Sequence, residues 1–226
     1  MIEMVVFDMA GTTVNEDNVV YKTLQQAINA EGFDFTLEQV LTEGAGKEKL
    51  QAIKSVLKVY GQVEDNLLAN KVFQSFLVML ELAYEIMEIL PQKNALELFS
   101  GLREKRILVV LNTGYNAKTA NSLIQKLGWI KGTHFDGLVT ASDVSQNRPQ
   151  PDMILLAMKQ FQITDSLKVV KVGDSTIDIE EGRNAGCSLN IGITTGAHTK
   201  KQLETVNPDF IIDDLIELLS LLPIEN

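Results

Sequence analysis

The chain has one cysteine, Cys187, in 226 residues. No internal disulfide can form, and a reducing compartment such as the cytoplasm is expected. Positive charge is also scarce: 20 Lys and Arg stand against 30 Asp and Glu, a formal net charge of −10. A general nucleic-acid binder needs a basic face, so that class is excluded, although a single Lys or Arg in a pocket could still hold an anion. Long hydrophobic runs are missing as well. The best candidate, 76–90, reads as too short to span a bilayer. Glu81, Glu85 and Glu88 recur in it at helical spacing, which predicts an amphipathic helix with a solvated face and no membrane partner. No basic stretch followed by an apolar core and a small-residue cleavage site precedes the first strand, so no secretory signal is expected. There is no internal repeat and no low-complexity tract.

What remains is the composition of an ordinary globular enzyme, 45% apolar and 22% charged, long enough for one substantial core and a smaller second unit. Short Val- and Ile-rich runs at 4–7, 107–111, 137–140, 169–172, 189–193 and 210–212 alternate with amphipathic segments beginning near Ala117, Asp152, Ile177, Lys200 and Leu215. That alternation predicts an α/β fold with a Rossmann-like parallel sheet. Residues 16–88 break the pattern. They hold no convincing strand and read as helices at 19–31, 37–41, 47–60 and 66–90, with Pro91 marking the return. The expected organisation is therefore a core of 1–15 and 89–226 with a helical cap, 16–88, inserted after the first strand. Such a cap would hang over the carboxyl ends of the strands, where open parallel sheets bind ligands, and could act as a lid.

Four polar clusters end apolar runs. Asp8 closes the first, with Thr12 and Thr13 behind it. Asn112-Thr113-Gly114-Tyr115 follows the second and offers a hydroxyl and backbone N–H groups to an anion. In Asn147-Arg148-Pro149-Gln150-Pro151-Asp152, two prolines stiffen the loop that presents the Arg148 guanidinium. In Gly173-Asp174-Ser175-Thr176-Ile177-Asp178, two carboxylates lie four apart where a strand meets a helix, and oxygen donors of this kind suit Mg²⁺. Each residue alone could be a helix cap, a turn residue or a surface charge. Together at strand ends they describe an anion-and-metal site, in which one carboxylate attacks phosphorus and cations neutralise its oxygens.

The stretches Asp8-Met9-Ala10-Gly11-Thr12-Thr13-Val14, Asn147-Arg148-Pro149-Gln150-Pro151 and Gly173-Asp174-Ser175-Thr176-Ile177-Asp178-Ile179-Glu180-Glu181-Gly182-Arg183-Asn184-Ala185-Gly186 resemble the haloacid dehalogenase superfamily of Asp-nucleophile phosphotransferases. Within it the chain looks most like phosphonoacetaldehyde hydrolases (phosphonatases). The resemblance implies that Asp8 forms an aspartyl-phosphate. It implies Mg²⁺ held by Asp8, the Ala10 carbonyl and Asp174, with Asp178 in support. Thr113 and Arg148 would bind the transferring group, with Thr12, Asn112 and Gly114 as further phosphate-binding candidates. Most phosphatases of the superfamily carry Asp where this chain has Ala10, and commonly Lys where it has Arg148.

Ala10 cannot protonate an alkoxide leaving group, and losing such an acid typically costs on the order of 10²–10⁴ in rate. A phosphonate aldehyde offers another route, in which an amine forms a Schiff base whose iminium accepts the electrons of the C–P bond. The cap pattern of the resembled family fits Gly46, Lys49, Ala52 and Ile53 better than the alternative register on Lys47. Lys49 is thus the expected substrate-contacting lysine, acting either covalently or by contacting an anionic group. Ala52 departs from phosphonatase, which has a His there. The chain's two histidines, His134 and His198, both fall in the core region. Gly44-Ala45-Gly46-Lys47 has the wrong spacing for a phosphate-binding P-loop.

Phe73, Phe76, Leu77, Leu80 and Tyr84 read as cap core or a homodimer surface rather than a ligand box. Cys187 reads as a buried structural thiol, and Trp129 has no evident role. The expected activity is hydrolysis of a small phosphonate or phosphate metabolite. The alternatives are a small-molecule phosphatase, for instance on phosphoglycolate, and a non-catalytic module that binds a phosphorylated metabolite.

Overall fold

The computed structural model describes residues 1–222. The chain begins with β1 (Met4–Phe7), whose four residues are all buried. A two-residue strand, β2 (Val14–Asn15), follows, and the chain then leaves the sheet for four helices: α1 (Val19–Asn29), α2 (Leu37–Gly44), α3 (Lys49–Gly61) and α4 (Asn66–Ile86). It returns through β3 (Leu90–Pro91), antiparallel to β2. The two passages between helices and sheet are thereby tied side by side.

The remainder alternates α5 (Ala95–Glu104), β4 (Leu108–Thr113), α6 (Ala117–Lys126), β5 (Gly137–Thr140), α7 (Asp152–Gln160), β6 (Val169–Gly173), α8 (Thr176–Ala185), β7 (Leu189–Ile193), α9 (Lys200–Glu204), β8 (Phe210–Ile212) and α10 (Leu218–Leu221). The sheet order is β5-β4-β1-β6-β7-β8, with every neighbour parallel. The α/β architecture read from the sequence is the observed one. With β1 in the interior of the order, the carboxyl ends of β1, β4 and β6 converge on one crevice.

One face of the sheet buries Phe7, whose ring lies 5.5 Å from that of Phe99 of α5 at a tilt of 57°, and Phe99 meets Trp129 edge-on at 5.5 Å. Trp129 is thus a packing residue. The opposite face buries Val6 and Val110 against Met153, Ile154 and Ala157 of α7. Cys187 is buried there too, and burial pushes its thiol up to about 12, as expected for an inert structural cysteine.

Several boundaries differ from expectation. α5 is absent from the sequence reading, although Ala95, Leu98, Phe99 and Leu102 recur at helical spacing and are all buried. α3 starts at Lys49 rather than at 47, because the Glu48 carboxylate accepts from the Leu50 and Gln51 N–H groups and so caps the helix there. α4 ends at Ile86, before the β3 passage, rather than at 90. Residues 215–217 form only a single turn ahead of α10.

At 21 residues and a mean hydropathy of 1.2 over 18 residues, α4 is long and apolar enough to cross a bilayer by length and composition, which corrects the reading that the segment is too short. Its Ala69, Val72, Phe76, Leu80 and Tyr84 recur on one buried face, and the helix packs against α1 and α3. That arrangement is what a core helix of the inserted unit requires. Glu81, Glu85 and Glu88 are exposed, as their spacing predicts.

Candidate active site

Asp8 is the first residue beyond β1, and its N–H donates to the Val172 carbonyl of β6 at 3.0 Å. This continuation of the parallel ladder fixes the carboxylate at the crevice floor. Arg148 is buried at 4% exposure, and its guanidinium spans the site. It donates to Asp8 Oδ1 at 2.7 Å, to Glu181 Oε2 at 2.9 Å and to the Asn112 carbonyl at 3.0 Å, and it lies 3.0 Å from Asp178 Oδ1. Lys171, in the middle of β6, lies 3.0 Å from Asp178 Oδ1 and 3.2 Å from Glu181 Oε2. One planar, five-donor cation thus crosslinks residues from β1, β4 and α8, which a lysine could not do.

The charges do not balance. Asp8, Asp174, Asp178 and Glu181 are buried, and only Arg148 and Lys171 pair with carboxylates of this set among the described residues. Asp174 takes none of that compensation. Its carboxylate accepts from the Ala197 N–H at 2.6 Å and from the Thr12 hydroxyl at 3.4 Å. Burial, aided by Asp8 and Asp178, therefore pushes its acid well above the usual carboxylate range. Burial, with Asp178 adding, also raises Asp8 against the pull of Arg148 and Lys171. Burial would raise Asp178 too, but Arg148 and Lys171 hold it below the usual range. Oxygens of Asp8, Asp174 and Asp178 lie within 4.8 Å of one another. Three converging carboxylates with a surplus of buried negative charge are a donor set that fits a hard divalent cation.

Not every expected residue is free to touch a substrate. The Asn112 side chain is committed, since its Oδ1 accepts from Lys171 at 2.6 Å and its Nδ2 donates to Glu181 at 2.9 Å. It orders the charge cluster instead of presenting itself to a phosphate. Thr12 points at Asp174. Gly114 also has a steric task, because a Cβ there would lie 2.8 Å from the Lys47 carbonyl and 3.0 Å from that of Gly46. Thr113 is buried, and its hydroxyl accepts from the Tyr115 N–H at 3.1 Å. The Ala10 backbone bridges to Val14 in the turn after Asp8.

The loop between α2 and α3 brings the helical unit into the crevice. Gly46 sits at φ +73°, pressed so closely on Ser175 and Ile177 that a Cβ would clash with both. Lys49 follows it into the site. Its ammonium lies 5.0 Å from the centroid of the Tyr21 ring and 5.3 Å from that of Tyr115, and it donates to the Lys47 carbonyl at 2.8 Å. Lys47 turns the other way, to Ser55 at 3.1 Å and Glu43 at 3.9 Å. Burial, helped by Arg148, holds the Lys49 amine below its usual value, and Asp8, Glu16 and Glu48 only partly offset this. Beside Lys49 opens a cavity of about 270 Å³, walled in part by Phe73, Phe76, Leu77 and Leu80. Those α4 residues are therefore cavity wall as well as core, which widens the sequence reading of them.

A family model for haloacid dehalogenase-like hydrolases matches residues 5–192. The chain belongs to that family. Among curated relatives, the phosphonoacetaldehyde hydrolase of Latilactobacillus sakei is 28% identical over 98% of this chain and 95% of its own length. A "probable phosphatase" of Dickeya dadantii is 28% identical over 97% of this chain and 93% of its own. The solved structure of a phosphonoacetaldehyde hydrolase-like protein from Oleispira antarctica superposes with a TM-score of 0.83 at 20% identity, covering 97% of this chain and 91% of that one.

In this haloacid dehalogenase-like hydrolase, sequence reasoning gave no role to Glu181, Lys171 or Glu16, read Tyr84 only as cap core or a dimer surface, and gave Tyr115 no part beyond its place in the strand-end cluster. Lys171 carried a signal, a single charge in the middle of the apolar run Val169-Val170-Lys171-Val172. Glu16 is buried just beyond β2, and its Oε2 accepts from the Tyr84 hydroxyl of α4 and from the Tyr115 hydroxyl at 3.1 Å. Burial raises it to about 7 from 4.5, with the two hydroxyls and Lys49 opposing. A carboxyl whose value rises on folding stabilises the fold fully below its unfolded value, and that contribution is lost as pH climbs through the folded value. A rise of this size corresponds to about 3 kcal/mol. Relative to Glu16→Gln, the wild-type enzyme should lose about that much stability between pH 4.5 and 8. Urea denaturation at the two pH values measures this, and a constant difference would contradict it.

Proposed function

We propose that this hydrolase is a Mg²⁺-dependent, cytoplasmic enzyme that cleaves a small phosphonate or phosphate through an aspartyl-phosphate on Asp8. The observation that carries the reading is the Asp8 carboxylate, fixed at the sheet edge, touched by Arg148 and converging with Asp174 and Asp178. Asp8, Asp174 and Asp178, with the Ala10 carbonyl, would hold the cation, which would neutralise phosphoryl oxygens. An Asp8 oxygen attacks phosphorus, the bond to the leaving group breaks, and water then releases phosphate from Asp8. Arg148 and Thr113 orient the group in flight. The helical unit of residues 16–88, carrying Lys49 in through Gly46, serves as the cap that keeps water from the reaction.

With Ala10 in place of an acid, leaving-group chemistry falls to Lys49. A neutral amine condenses with an aldehyde, releasing water. The iminium then takes up the C–P electron pair as an enamine while Asp8 accepts the phosphoryl group. The enamine carbon takes a proton, and water then releases the aldehyde that has lost its phosphoryl group and frees the amine. Burial and the lowered amine value of Lys49 support this use. The cavity size and the Latilactobacillus sakei relative point to a phosphonate aldehyde such as phosphonoacetaldehyde. A second reading, a small-molecule phosphatase, is favoured by Ala52, which supplies no imidazole beside Lys49. Phosphate release should be assayed on phosphonoacetaldehyde and a panel of phosphate monoesters with Mg²⁺ present. Borohydride added during turnover of the aldehyde is expected to fix an adduct on Lys49, read by peptide mass. Absence of an adduct together with full activity in Lys49→Arg would end the amine route and leave the phosphatase. A homodimer through the helical unit would not use the expected residues, since Phe76, Leu80 and Tyr84 are buried, but the exposed α4 stripe Val78, Leu82 and Ile86.

A further inference from the structure

Lys49 and Glu16 are two buried charges that form no direct ion pair with each other or with any other described residue. Unpaired buried charges are costly, and a fold that keeps two of opposite sign near one another relates them in some way. Here the relation is a side chain. The Tyr115 ring lies 5.3 Å from the Lys49 ammonium, and the Tyr115 hydroxyl donates to Glu16 at 3.1 Å. Tyr84 closes the other side, with its hydroxyl bonded to Glu16 and lying 3.0 Å from that of Tyr115. Glu16 leaves the core beside β2, Tyr84 lies in the last turn of α4, the longest helix of the cap, and Tyr115 follows β4. The cluster therefore bolts cap to core at the place where Lys49 must be held.

We propose that Glu16 is the counter-ion of Lys49, acting through Tyr115 as a positioning residue that sets the protonation and orientation of the amine. The proposal deepens the reading of Lys49 as the amine that meets the substrate, and it rests on that reading for its catalytic meaning. The other charged or titratable groups facing Lys49 are Asp8, Arg148, Glu48, Tyr21 and Tyr115, and those facing Glu16 are Tyr84, Tyr115 and Lys49. Asp8 is already engaged by Arg148 at 2.7 Å, so its charge is shared, whereas no cation lies within ion-pair distance of Glu16 among the described residues. Once pH climbs through the Glu16 value of about 7, its negative charge is felt at Lys49 across the low-dielectric interior, and the aromatic faces of Tyr21 and Tyr115 add a weaker attraction for the ammonium. The carboxylate thus supports the charged form of Lys49 and gives its proton a nearby anion.

The test is the titration of Lys49 itself. Protein labelled with ¹³C at lysine Cε, with Mg²⁺ present throughout, is titrated by NMR, and the Lys49 signal is assigned by its loss in Lys49→Arg. In Glu16→Gln, which keeps an acceptor for both tyrosines but removes the charge, the Lys49 midpoint is expected to fall by at least half a pH unit. Tyr115→Phe, which keeps the ring and removes the link, is expected to shift it in the same direction. Should Glu16→Gln fail to fold, Tyr84→Phe and Tyr115→Phe carry the test, each expected to lower the midpoint. A Lys49 midpoint that stays put in the folded variants overturns the proposal. The limb of the wild-type pH profile for phosphate release whose midpoint coincides with that of the Lys49 carbon signal should move with it in the variants. If the carbon signal moves while that limb does not, the coupling stands and the amine reading of Lys49 fails.

Discussion

Asp8→Asn is expected to lower kcat/KM for phosphate release by about 10⁴-fold or more, because the amide cannot attack phosphorus and no other described side chain occupies its place. The same change should leave the fold at least as stable as wild type in the absence of added metal. Burial and Asp178 raise the Asp8 acid, so its ionised form is held against the preference of its surroundings. Asparagine keeps an oxygen for Arg148 and removes one negative charge from a cluster that has too many. The paired readout, activity lost with melting temperature unchanged or raised, separates a chemical role from a scaffold role. Turnover above about 1% of wild type would remove Asp8 from the proposed mechanism, since losing a nucleophile costs far more than that. Loss of activity accompanied by a lower melting temperature would also count against it.

Arg148→Met carries the second large effect, this time on stability. Methionine fills a similar volume but leaves Asp8, Asp178 and Glu181 to the single ammonium of Lys171. Removing one partner of a buried charge network costs about 3–5 kcal/mol, because the remaining charges stay buried and unmatched. The surrounding carboxylates outweigh burial and hold the guanidinium charged well beyond its ordinary range, so no pH of practical use removes its charge from the wild-type cluster. Urea denaturation at neutral pH should show the loss as a lower midpoint at constant slope. Arg148→Lys should fall between, since a point charge cannot reach Asp8, Glu181 and the Asn112 carbonyl together. A loss below about 1 kcal/mol for Arg148→Met would mean that the cluster is not the electrostatic keystone its geometry describes.

Much of this site is legible in local sequence patterns. Asp8, Thr113 and Asp174 each end an apolar run, and a run that stops at a polar residue shows in a short window. Lys49 could be preferred to Lys47 through the cap pattern of the resembled family, which Gly46, Lys49, Ala52 and Ile53 match within one short window. Glu181 lies within the stretch that begins at Gly173, but nothing local says that its carboxylate faces Arg148, 33 positions away. Asn112 carried the wrong expectation for a similar reason, since the strand end is visible while the partners that occupy its amide are not. α5 was legible in its 95, 98, 99, 102 spacing, whereas the pairing of β2 with β3 involves two residues on each side and leaves no periodic trace.

Hydrophobic periodicity, and the points where it stops, specify the parallel α/β fold, the insertion of helices after the first strand and the residue types gathered at the strand ends. These are properties of short windows of sequence. It took the folded chain to establish that three of four buried carboxylates meet two cations while Asp174 meets neither, that Asn112 is consumed in holding them, and that Glu16 shares Tyr115 with Lys49. Such facts depend on Coulomb interaction and desolvation between groups as many as 140 positions apart, as with Arg148 and Asp8. Their energies are fixed by distance and burial, and neither exists until the chain has folded.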